Sequence, residues 1–112
     1  MVVEELLDYI EQAGTYARGM TFEQYLADRK TQRAIERCIE VISEASRHIP
    51  EEIKGNHLEI PWGEVAAIGN VFRNEYHSIA ARIVWETVRL HLAPLEAAVR
   101  TIAAELPPDD SA

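Results

Sequence analysis

A single cysteine, Cys38, leaves the chain without any intrachain disulfide, and its position inside an apolar helical series reads as core rather than as a nucleophile. A reducing, cytoplasmic setting fits such a chain. Glycine and proline are scarce, five of each, and fall largely at segment ends, with no low-complexity linker between them. Long apolar runs are missing as well. No stretch approaches the roughly 18 residues of a membrane span, and Met-Val-Val-Glu-Glu at the start has neither the basic region nor the apolar run of a signal peptide. A soluble protein with no membrane partner is expected. Positive charge is in deficit: 11 Lys plus Arg face 19 Asp plus Glu, a net charge of −8 that opposes broad attraction to nucleic acid, so a bound RNA would need a local basic patch.

Several chemistries lack their motifs. There is no Gly-rich phosphate loop, paired Cys, His-Glu-x-x-His or Ser elbow, and no Glu-x-x-His of the di-iron kind. Nucleotide hydrolysis, zinc chemistry and acyl transfer are left without support, and no metal or other cofactor is expected. His48, His57 and His91 have no zinc-site spacing and read as surface or capping residues.

What the chain does contain is aliphatic helix. Hydrophobic residues make up 47% of its 112 positions, enough for one folded domain without staples. Val3, Leu6, Leu7, Ile10, Ala13 and Ala17 recur at helical spacing up to Gly19. Thr21 with Gln24 forms a capping-box pattern before a short helix carrying Phe22, Tyr25 and Leu26. From Arg29 to His48 the series Ile35, Cys38, Ile39, Ile42, Ala45 and Ile49 predicts a long amphipathic helix closed by Pro50. Residues 50–60 have no period and read as a loop. Ile83, Val84, Val88, Leu92, Leu95, Val99 and Ile102 form the last helical tract, with a break predicted near Ala93 because of Pro94. No strand-like alternation occurs. The fold class is therefore all-α, an antiparallel bundle of four or five helices.

Residues 60–79 carry the chemistry. Pro61 suits a helix start, and a single helix from Trp62 would put Val65, Ile68, Phe72 and Ile79 on a core stripe. Ala66, Asn70, Arg73, Asn74 and His77 would then share the opposite, exposed stripe, where Arg73 and His77 could converge on one anion. Spacing alone favours a plain solvated face with ordinary i, i+4 contacts. Gly69, costly in a helix by about 1 kcal/mol against Ala, suggests close approach of another helix. Trp62 and Trp85 read as packing anchors. Arg82 and Arg89 could extend a phosphate-binding patch, but salt bridges to the many carboxylates are their simpler role.

Several landmarks resemble the HepT-like branch of the HEPN domains: Thr21-Phe-Glu-Gln-Tyr-Leu-Ala-Asp, Lys30-Thr-Gln, Ile-Glu-Val-Ile-Ser-Glu-Ala, Ile60-Pro-Trp, Asn70, Glu75-Tyr76 and Ile83-Val-Trp-Glu-Thr-Val. The resemblance implies one HEPN-like domain over residues 1–106; the acidic tail at 107–112 has nothing to bury and reads as disordered. It further implies a toxin-type, metal-independent endoribonuclease that acts on RNA as a two-fold homodimer. Its partner would be a nucleotidyltransferase antitoxin that adenylylates it. The family motif Arg-x-x-x-x-His-x-Tyr falls on Gly69, Asn74 and Tyr76, so its Arg and His are replaced here while the modification acceptor, Tyr76, remains. Arg73 and His77 are then the candidate catalytic cation and acid or base, with Asn70 and Asn74 positioning substrate. The alternative is a catalytically inactive module that keeps binding to a nucleotidyltransferase partner or a nucleotide.

Overall fold

The computed structural model of the chain describes residues 2–73 and 76–106. Among these every secondary-structure element is helical, with no strand. The predicted tail at 107–112 lies outside the described residues.

Helix α1 (Val2–Ala17) buries Val3, Leu6, Ile10, Ala13 and Ala17, the apolar set expected from its period. It stops where Gly19 takes φ 76°, a left-handed turn that a Cβ would strain. Helix α2 (Phe22–Ala27) opens on the capping box: the Gln24 backbone N–H donates to Thr21 Oγ1 at 3.1 Å, and the Thr21 N–H donates to Gln24 Oε1 at 2.9 Å. Asp28 then caps α3 (Arg29–Ser46) by accepting from the Thr31 N–H at 3.0 Å and the Thr31 hydroxyl at 2.7 Å. Helix α3 buries Ile35, Cys38, Ile39, Ile42 and Ala45, as the sequence indicates, and also Gln32, Ser43 and Ser46.

The first correction falls in the segment expected to be a loop, which contains the short helix α4 (Glu51–Lys54). Pro50 supplies the carbonyl that accepts from the Ile53 and Lys54 N–H groups. Glu51 and Glu52 sit in the first turn and Lys54 in the last, an order that suits the helix dipole.

A second correction concerns the end of the chain. Helix α6 (His77–Glu86) runs through a π-helical segment, Thr87–His91, into α7 (Leu92–Glu105). The predicted break at Ala93 is instead a widened turn one step earlier, in which the Leu92 N–H donates to the Thr87 carbonyl. Pro94 has no N–H for the carbonyl four residues back, and its ring would crowd that carbonyl, so the extra residue is accommodated upstream.

Helix α1 packs against both α3 and α7, and α2 lies across α3 and α6. The start of α1 meets the end of α3, since Val2 and Glu5 line the same cleft as Glu44, Ala45 and His48, so the two run antiparallel. Trp85 stacks on Tyr25 with ring centroids 5.2 Å apart and meets Phe22 at 6.3 Å. These aromatics fix α2 against α6, the packing role expected of Trp85. No helix among the described residues is long and apolar enough to cross a membrane.

Candidate functional site

The central segment is not one helix. Helix α5 (Trp62–Ala67) gives way to a 3-10 segment, Ile68–Arg73, and a separate helix begins at His77 after Tyr76 takes an extended backbone, φ −94° and ψ 98°. The cause of the first change is visible. The Ala66 carbonyl accepts from Ser43 Oγ at 2.7 Å and from Arg47 Nη2 at 2.6 Å, so α3 supplies donors where an α-helix would supply its own. The Gly69 N–H in turn donates weakly to Ser43 Oγ at 3.4 Å. A Cβ on Gly69 would stand 3.2 Å from that oxygen, so the close approach read from the sequence is contact with α3. The position where the family motif carries its Arg is thus held against the bundle.

This break changes the predicted stripe. Asn70 and Arg73 lie exposed on the 3-10 segment, with three residues per turn, and His77 begins a new α-helix, so the structure does not place Arg73 and His77 on one helical face. Asn74 lies outside the described residues. Val65, Ile68 and Phe72 pack on the core as expected, but Ile79 is 48% exposed. Tyr76 is 67% exposed.

His77 is anchored from across the bundle. Its Nε2 lies 3.1 Å from Oε1 of Gln32, which is 1% exposed, and the Gln32 amide nitrogen donates to the Tyr25 carbonyl at 2.8 Å and the Leu26 carbonyl at 2.9 Å. The sequence reading missed Gln32. Its signal was a polar side chain three residues before Ile35 on the otherwise apolar stripe of α3.

Arg82 and Arg89 do not take the salt bridges expected of them. The arginine ion pairs among the described residues belong to Arg33, Arg37, Arg47 and Arg100. Arg82 instead lies over the Phe22 ring at 4.0 Å, and Arg89 lies 5.5 Å from the centroid of Trp85. Both line a groove between α2 and α6 together with Phe22 and Trp85. A cation–π contact leaves guanidinium N–H groups able to donate to an anion.

His57, expected at the surface, is buried: Nδ1 is 3.6 Å from Glu59, Nε2 is 3.9 Å from Glu105, and its carbonyl accepts from Trp62 Nε1 at 3.0 Å. Its loop is tucked under α5 and α7. Cys38 is buried as predicted, and burial pushes its thiol up to about 11, with the Asp8 charge adding to the effect. Among the described residues no group of three or more His, Cys, Asp or Glu is placed to hold a metal ion.

The all-helical bundle agrees with what the comparisons show. A model of the HepT-like ribonuclease family matches residues 6–102, and the chain belongs to that family. Among its relatives, a protein of Thermococcus cleftensis named "Probable ribonuclease HepT" is 36% identical over 94 residues, 84% of this chain and 86% of that one. A Caldanaerobacter subterraneus protein provisionally named an RNase is 32% identical over 100 residues, 89% of each chain. A Methanocaldococcus jannaschii protein, also provisionally named an RNase, is 32% identical over 87 residues, 78% of this chain and 69% of that one. No solved structure shows a significant match.

Proposed function

We propose that this protein is the toxin of a HepT-type toxin–antitoxin pair, a metal-independent endoribonuclease whose proton-transfer group is His77. The observation that carries this reading is the imidazole at the head of α6, held at one ring nitrogen by Gln32, with no partner for the other among the described residues. In metal-free cleavage the 2′-oxygen of RNA attacks the adjacent phosphorus and loses its proton to a base. The P–O5′ bond breaks, and the departing oxygen takes a proton from water or an acid. A fixed imidazole serves the first transfer, Arg73 supplies the cation for the charge that develops on phosphorus, and Arg82 and Arg89 extend the phosphate-binding patch. Asn70 and Asn74 would position the substrate.

A two-fold dimer belongs to this reading. Ile79 and Ile83 on α6 and Leu90 beyond it are exposed beside the arginines, an apolar surface suited to a second copy. Exposure of Tyr76 next to His77 supports regulation by adenylylation from a nucleotidyltransferase antitoxin, since the added bulk and negative charge would block the anion site. A second reading, an inactive HEPN module that binds its partner or a nucleotide, is favoured by one observation. Gly69 is pressed against Ser43 and carries no charge where the family motif has Arg.

The test is RNA cleavage by the purified wild type without metal, beside Arg73→Ala and His77→Ala variants whose fold is checked by circular dichroism. Cleavage by the wild type that is lost in both folded variants is the expected result. No cleavage by a wild type shown by mass to be unmodified at Tyr76 would favour the binding module.

A further inference from the structure

We infer that Gln32 is a positioning residue that fixes the tautomer of His77, so that Nδ1 is the ring atom that takes and returns the proton. At the end of α2 the last carbonyls lack the partners that a continuing helix would supply. The Gln32 amide nitrogen donates to the Tyr25 carbonyl at 2.8 Å, which also accepts from the Asp28 N–H at 3.2 Å, and to the Leu26 carbonyl at 2.9 Å. Both N–H groups of the amide are thereby used, and its orientation follows, since the reversed amide would set oxygen against two carbonyl oxygens. Oε1 can only accept. It stands 3.1 Å from His77 Nε2, which must therefore carry hydrogen in the neutral ring, leaving the lone pair on Nδ1.

Two consequences follow. The Nε2–H to Oε1 bond is present whether the ring is neutral or charged, so a proton is gained and lost at Nδ1 without rotation of the imidazole. Gln32 is also nearly fully buried and doubly anchored, so it holds the ring to one orientation, which is what a proton-transfer group requires. The role of Nδ1 in cleavage rests on the ribonuclease reading above. The tautomer itself does not.

Nitrogen NMR of the labelled wild-type protein, at a pH where the ring is neutral, tests the inference without any variant. The expected result is a protonated Nε2, a bare Nδ1, and an Nε2 proton that exchanges with water more slowly than that of exposed His91. A protonated Nδ1, or an Nε2 proton exchanging as fast as that of His91, would overturn it. In Gln32→Leu, checked for folding, the slow exchange should disappear, and kcat for RNA cleavage should fall roughly tenfold or more with little change in KM. A folded variant with unchanged exchange and kcat also overturns the inference. A wild type that cleaves no RNA yet shows the slow Nε2 proton defeats the ribonuclease reading and leaves this one standing.

Discussion

At the scale of single residues, Tyr25 shows how burial sets a pH response. It is fully buried against Trp85, and its hydroxyl has no hydrogen-bond partner among the described residues. Burial, with a smaller push from the Glu36 charge, raises its phenol well above the ordinary value of 10.0. The folded chain therefore holds this proton more tightly than the unfolded one. The associated stability is whole below about pH 10 and is lost as pH rises beyond it. Tyr25→Phe removes both the unpaired hydroxyl and the titration. Denaturant unfolding should show a gain of about 1 kcal/mol at neutral pH and a shallower alkaline decline. Gly69 makes the opposite case. Ser43 Oγ is committed to the Ala66 carbonyl and gives way poorly to a Cβ at 3.2 Å, so Gly69→Ala should destabilise the wild type but be tolerated in a Ser43→Ala background. A double-mutant cycle should return a coupling of about 1 kcal/mol; additive losses would mean that the contact is not strained.

At the scale of elements, the caps carry testable electrostatics. Asp28 accepts two hydrogen bonds from Thr31, and its backbone bond with Thr31 is the first cause of a carboxyl lowered from the ordinary 3.8. Because the folded value is depressed, this contribution is present above that ordinary value and is lost as pH falls through the folded one. Asp28→Asn keeps an acceptor for the Thr31 N–H and cannot titrate, so thermal unfolding should lose less on acidification in the variant than in the wild type. The elements themselves were largely legible. Apolar residues at helical spacing marked α1 and α3, and Thr21 with Gln24 marked the start of α2, because these signals lie within one segment. The change from α5 to the 3-10 segment and the fresh helix start at His77 were not legible, since the contacts that accompany them are distant. Ser43 and Arg47 take the Ala66 carbonyl from across the bundle, and Gln32 holds His77 from 45 residues away. A single-helix period drawn through 62–79 could register neither, and so it placed Ile79 in the core and Arg73 beside His77.

At the scale of the molecule, a chain of net charge −8 must concentrate its usable positive charge if it is to hold RNA. The structure does so by sorting its arginines. Arg33, Arg37, Arg47 and Arg100 are engaged with carboxylates, while Arg82 and Arg89 lie over Phe22 and Trp85 along one groove, which Glu86 also lines. Seven residues separate these two on a helical path, about 10 Å along the axis, so a single strand following α6 could meet both. Each phosphate contact to a single strand adds about 0.7 to the slope of log affinity against log salt. Titrating a labelled single-stranded RNA over a salt series should give a slope smaller by about 1.4 for Arg82→Ala/Arg89→Ala than for the wild type, with affinity falling alike for unrelated sequences. Equal slopes in the two proteins would remove the groove from the RNA path. If the double variant instead changed only its sedimentation, this arginine face would belong to the contact between two copies.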